Sequence, residues 1–166
     1  FRLSGARWRE NCKWVDVPWE SESHTLPPEP SRHMKLALGL LDAKLEEFDI
    51  DRERIYTLGM SMGGYAVFDM VSRRPELFAA AASMCGGGDT AQAPNLRNTA
   101  FYLIHGDEDS AVPVVRSRNM AKALRDAGNP HVVYHELAGV NHNVWDPFFA
   151  DDEGLDFLFA QKRAIR

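Results

Sequence analysis

From Arg54 to Leu137 the chain alternates short apolar runs with longer stretches in which apolar residues recur every three or four positions. The short runs read as buried strands. They are Arg54-Ile55-Tyr56-Thr57-Leu58, Ala79 to Met84, Ala100-Phe101-Tyr102-Leu103-Ile104, and His131 to Leu137. The stretches around them read as helices. Ser31 to Phe48 places Met34, Leu38, Leu41, Leu45 and Phe48 on one face, with Ser31 as a cap. A second helix starts at Met62 and ends near Arg73 and Arg74, where cations favour a helix C-terminus, before Pro75. A third spans Val114 to Ala127 and stops at Gly128 and Pro130. A last helix, from about Asp151, turns Leu155, Leu158 and Phe159 towards the core. Such alternation predicts an α/β fold, a mostly parallel sheet with crossover helices, in a single domain over residues 1–166. Residues 1–30 break the pattern. They contain no convincing strand, end in Leu26-Pro27-Pro28-Glu29-Pro30 and read as a long ordered loop, with Trp8, Trp14 and Trp19 expected to pack over the sheet rather than to line an acyl or aryl pocket.

Composition narrows the classes of function. With 45% hydrophobic and 26% charged residues over 166 positions, the chain can build a sizeable core. No apolar run approaches the roughly 20 residues needed to cross a bilayer, so no membrane span is expected. A net charge of −5 leaves no basic patch for phosphates, which argues against nucleic acid as a partner. Cys12 and Cys85 are too few for a disulfide framework or a metal cluster, and Cys85 suits a small buried position. HExxH, paired CxxC and phosphate-cradling loops are missing, so neither a metal nor a cofactor is expected. The residues assign no compartment.

The chemistry concentrates at Gly59-Met60-Ser61-Met62-Gly63-Gly64, which lies between a strand and a helix. A serine hydroxyl is a poor nucleophile until it is exposed, paired with a base and supplied with donors for the developing oxyanion. A sharp strand-to-helix turn does much of this. Glycines two before and two after Ser61 carry no side chain to obstruct such a turn. A triad then needs an acid and a histidine later in the chain. The apolar run Ala100 to Ile104 leads into His105-Gly106-Asp107-Glu108-Asp109, so acidic residues crowd one strand end. His142 follows the next strand, in the loop Ala138 to Trp145 flanked by Asn141 and Asn143. The other histidines are less well placed. His24 and His33 precede the serine, His105 belongs to the acidic loop, and His131 and His135 open or occupy a strand. Trp145 and Phe148 either line a pocket near His142 or anchor the final helix.

The segments YTLGMSMGGYAVFDMVSRRPELFAAAASMCGGGD, LIHGDEDSAVPV and GVNHNVWDPFF resemble the α/β-hydrolase superfamily. More narrowly they resemble bacterial esterases of the phospholipase/carboxylesterase and polyhydroxybutyrate-depolymerase-like group, relatives of prolyl oligopeptidase. The resemblance makes Ser61 the nucleophile, Asp109 the acid and His142 the base, and it alone selects Asp109 over Asp107. It implies a serine carboxylesterase acting on a small-molecule ester through an acyl-enzyme. A prolyl-oligopeptidase-like peptidase, a transacylase or a catalytically impaired binding module are the alternatives. A complete hydrolase of this kind has about four further strands before the elbow, and the loop after one of them donates to the oxyanion. That loop has no counterpart upstream here, leaving the Met62 backbone N–H as the assignable donor. The chain is therefore expected to be a fragment or a minimal variant, the C-terminal portion of the fold. Its exposed sheet edge would pair with another copy.

Overall fold

The computed structural model describes residues 13–163, so Trp8 and Cys12 lie outside the described residues. Residues 13–31 carry only turns and bends. Next come α1 (Arg32–Glu47), β1 (Tyr56–Met60), α2 (Met62–Arg73), β2 (Ala80–Met84), a 3₁₀ helix (Thr90–Leu96), β3 (Ala100–Gly106), α3 (Val115–Asp126), β4 (Val132–Leu137), α4 (Trp145–Ala150) and α5 (Glu153–Ala160). All strand pairs are parallel, in the order β1-β2-β3-β4. Parallel neighbours need crossovers, and these place apolar layers on both sheet faces. Alternation along β3 shows both layers. Phe101 and Leu103 join Phe68, Val71, Met120 and Leu124 on one face. Tyr102 and Ile104 join Met84, Phe148 and Leu158 on the other.

The capping expected of Ser31 is present: its hydroxyl accepts from the Met34 N–H at 3.1 Å and donates to the Trp14 carbonyl at 2.7 Å. Helix α3 ends where Gly128 takes a φ of 83°, a left-handed conformation that glycine adopts without steric cost. Four local expectations change. Strand β1 lies two residues later than its apolar run, because Gly59 and Met60 still pair with Ser83 and Met84. Phe48 leaves the stripe of α1 and is 55% exposed, since it is the extended residue that ends the helix. The final helix is two, broken around Asp151 and Asp152; Leu158 is buried, while Phe159 is exposed and stands edge-on to Tyr56. The β2–β3 crossover holds the 3₁₀ helix, whose start is fixed by the Asp89 carboxylate accepting from the Ala91 N–H at 3.0 Å.

Loop 13–31 is held by specific groups. Val15 and Val17 are buried with Tyr65 and Val112, and Trp14 and Trp19 pack against this cluster rather than over the strands. Arg116 of α3 is buried and donates to the carbonyls of Pro18 and Ser21. At the other side of the sheet, β1 has one strand neighbour among the described residues. Leu58 and Met60 on it, and Leu36 and Leu40 on α1, are exposed.

Candidate active site

The elbow joins β1 to α2 at Ser61, whose φ of 53° and ψ of −118° are strained for a residue with a Cβ. Neighbouring backbone holds it there. The Ser61 N–H donates to the Met84 carbonyl at 2.8 Å, and the Ser61 carbonyl accepts from the Gly64 N–H at 2.8 Å. A Cβ on Gly59 would sit 2.3 Å from the Gly63 carbonyl oxygen, so glycine is required there. A Cβ on Gly63 meets nothing within 4 Å, contrary to its expected steric role. Gly64 carries that role instead, because its Cβ would lie 2.8 Å from the Met84 carbonyl oxygen and 2.9 Å from the Gly86 Cα. Met62 opens α2, so its N–H has no acceptor within the helix.

Three loops at the C-terminal ends of parallel strands bring Ser61, Asp109 and His142 together. His142 Nε2 lies 2.7 Å from Ser61 Oγ, and His142 Nδ1 lies 2.7 Å from Asp109 Oδ2. A carboxylate accepts only, so Nδ1 carries the hydrogen and Nε2 presents its lone pair to the serine hydroxyl. The other carboxylate oxygen, Oδ1, accepts from the Ala111 and Val112 N–H groups at 2.8 and 2.9 Å. Burial pulls the Asp109 pKa up, but the Val112 amide, His142 and the Ala111 amide outweigh it and hold the carboxyl below its ordinary value. Asp107 does different work: its carboxylate accepts from the Gly139 N–H at 2.7 Å, bracing the β4–α4 loop. Trp145 stands edge-on to His142 with ring centroids 5.7 Å apart, while Phe148 is buried in the core and anchors the helices.

Cys85 follows β2 with a φ of 42° and is fully buried. Burial pushes its thiol pKa up to about 12. Its sulfur, a carboxylate oxygen of Asp109 and a ring nitrogen of His142 lie within 4.8 Å of one another. Sequence reasoning set Cys85 aside as a small buried residue, and it is buried. The same reasoning passed over His105, which is buried beneath the Asp109 loop with Nε2 3.2 Å from Asp109 Oδ2. The HG pair was the available signal. A concavity of about 750 Å³ between Pro75, Arg97, Pro130 and Arg163 involves none of Ser61, Asp109 or His142.

A parallel sheet carrying a strained serine between strand and helix, with an imidazole and a carboxylate from later loops, is the architecture of α/β-hydrolases. The chain belongs to the phospholipase/carboxylesterase family, whose model matches residues 10–153. It is similar to a thermostable esterase of known structure, with a TM-score of 0.82 and 32% identity over 92% of this chain and 42% of that one. It is 45% identical over 42 residues to the esterase LipQ of Mycobacterium tuberculosis, which covers 25% of this chain and 10% of LipQ. The acylaminoacyl peptidase of Pyrococcus horikoshii shares the fold, with a TM-score of 0.57 and 22% identity over 66% of this chain and 23% of that one. The chain thus spans less than half the length of these relatives. No helix among the described residues is long and apolar enough to cross a membrane.

Proposed function

We propose that Ser61, His142 and Asp109 are the nucleophile, base and acid of a serine carboxylesterase. One observation carries this reading: the unbroken chain of 2.7 Å contacts from Ser61 Oγ through the His142 ring to Asp109 Oδ2. In the proposed reaction Ser61 Oγ attacks the ester carbonyl as its proton passes to His142 Nε2. The Met62 N–H donates to the tetrahedral oxyanion. His142 then protonates the departing alcohol, leaving an acyl-enzyme. A water molecule, deprotonated by the same imidazole, releases the acid and restores Ser61. Asp109 keeps the hydrogen on Nδ1 and stabilises the imidazolium that forms at each transfer. The family and the named esterase relatives favour an ester as the bond cleaved, and a small-molecule ester is the proposed substrate.

The test is labelling with a fluorophosphonate together with hydrolysis of p-nitrophenyl acetate. Both are expected in the wild-type chain and absent in Ser61→Ala. Hydrolysis that persists in Ser61→Ala would overturn the mechanism. A wild type that neither labels nor hydrolyses would identify a binding module instead. Faster cleavage of an acylamino p-nitroanilide than of the ester would favour a peptidase.

A further inference from the structure

His105 takes no part in the proton transfers described above, yet each of its polar atoms is engaged. The ring is fully buried at the end of β3. Its Nε2 lies 3.1 Å from the Val112 carbonyl oxygen and 3.2 Å from Asp109 Oδ2. Both neighbours accept only, so Nε2 bears the hydrogen. Burial holds the pKa of His105 below the ordinary imidazole value, opposed by the Val112 carbonyl and Asp109. On the other side of the ring, Nδ1 lies 2.7 Å from Ser117 Oγ. The Ser117 hydroxyl donates to the Gly86 carbonyl oxygen at 3.2 Å, and Gly86 packs on Gly64 in the helix that follows Ser61.

Two constraints on the acid thus pass through one ring. Residue Val112 is tethered at its carbonyl by His105, and its N–H donates to Asp109 Oδ1. The same Nε2 lies 3.2 Å from Asp109 Oδ2, the oxygen that receives His142 Nδ1–H, so the ring also packs against the carboxylate. We infer that His105 is a positioning residue that holds the Asp109 carboxylate at the distance required by His142, with Ser117 anchoring the far side of its ring. Such a residue acts through Asp109 and touches no substrate. This inference rests on the esterase reading of the site for its kinetic consequence, but not for its structural one.

The test compares His105→Leu, which keeps bulk and removes the donor, with His105→Gln, whose amide nitrogen can stand where Nε2 does. In His105→Leu, kcat for p-nitrophenyl acetate is expected to fall about tenfold with KM unchanged. The downfield proton resonance of His142 Nδ1–H should broaden as its bond to Asp109 loosens. His105→Gln should restore both. Equal losses in the two variants would reduce His105 to a packing residue and overturn the inference, as would wild-type kcat and resonance in His105→Leu. Should His105→Leu fail to fold, Ser117→Ala takes its place. A reduced kcat with a broadened resonance there supports the inference, and wild-type values for both overturn it. A wild type without esterase activity would sink the esterase reading alone, because the His142 resonance still reports on His105.

Discussion

Gly64 and Gly86 meet backbone to backbone: a Cβ on Gly64 would fall 2.9 Å from the Gly86 Cα, and one on Gly86 would fall 2.5 Å from the Gly64 carbonyl carbon. This contact sets how closely α2 approaches the end of β2, and so the height at which Ser61 is presented. Gly64→Ala and Gly86→Ala are each expected to cost about 1–3 kcal/mol, the range for overpacking a filled interior. Gly63→Ala is the contrast, since its Cβ has open space. It should be neutral or stabilising by up to about 1 kcal/mol, because alanine is the better helix former. Urea denaturation of the three variants checks the order.

Asp109→Asn replaces an acceptor by a group that can present either an oxygen or an amide to His142. Where the amide faces Nδ1, the ring takes the wrong tautomer and Nε2 no longer accepts from Ser61. A fall in kcat on the order of 10⁴ with little change in KM is expected. Asp107→Asn keeps an oxygen for the Gly139 N–H and should leave kcat close to wild type. Steady-state kinetics on p-nitrophenyl acetate separate the two. Equal losses would mean that the wrong carboxylate has been assigned.

Arg116 is a buried cation held by carbonyl oxygens and by His24, with its guanidinium over the Tyr65 ring at 5.2 Å. Arg116→Met would leave the Pro18 and Ser21 carbonyls without their donor, at an expected cost of about 2–3 kcal/mol. Limited proteolysis should then cut between Pro18 and His24 well before the sheet unfolds. A digestion pattern identical to wild type would contradict this.

His24 accepts from Arg116 through Nδ1, which fixes it as the neutral ring. Burial, then Arg116, lowers its pKa to about 4, against a partial opposing pull from Asp89. The unfolded chain therefore binds the proton first, at the ordinary value of about 6.5. Stability from this group is complete above pH 6.5 and is lost as the pH falls towards 4. His105, also lowered by burial, adds to the loss in the same direction. Urea midpoints should drop between pH 7.5 and pH 5, and the drop should be smaller in His24→Gln. An equal drop in both proteins would remove His24 from the account.

Leu58 and Met60 on β1 and Leu36 and Leu40 on α1 present an apolar strip beside a strand paired on one side only among the described residues. We propose that this chain alone self-associates through the β1 edge, since unpaired N–H and C=O groups beside exposed leucines invite another strand. Light scattering should show mass rising with concentration, and Leu58→Lys should suppress the rise. A monodisperse monomer at high concentration would refute the proposal.

What could be read from sequence is what local residues dictate. The elbow was legible because a strand, a serine and a helix adjoin within a few positions, and β2 and β3 because both faces of each are apolar. The chain order of Asp109 and His142 was legible, but their separation was not. Long-range contacts were hidden for the same reason. Nothing local marks Arg116 as the anchor of a loop 95 residues away, or Ser117 as a partner of His105 and Gly86. The 3₁₀ helix was missed because Asp89 and Pro94 also suit a plain turn, and the break near Asp152 because acidic residues equally suit a helix start. Gly63 was given a steric role by its place in a motif, whereas only the crossing of α2 over Gly86 shows that Gly64 fills it.

Cys85 turns the interior of this site into a built-in clock. A thiol buried this completely, with its pKa pushed up to about 12, stays unreactive until its surroundings part. Because its sulfur lies beside Asp109 and His142, the rate at which a disulfide reagent modifies it is expected to report the opening of the packing around them, without substrate or turnover. With Cys12 replaced by serine to silence the other thiol, that rate separates variants that loosen the site from those that only alter its chemistry.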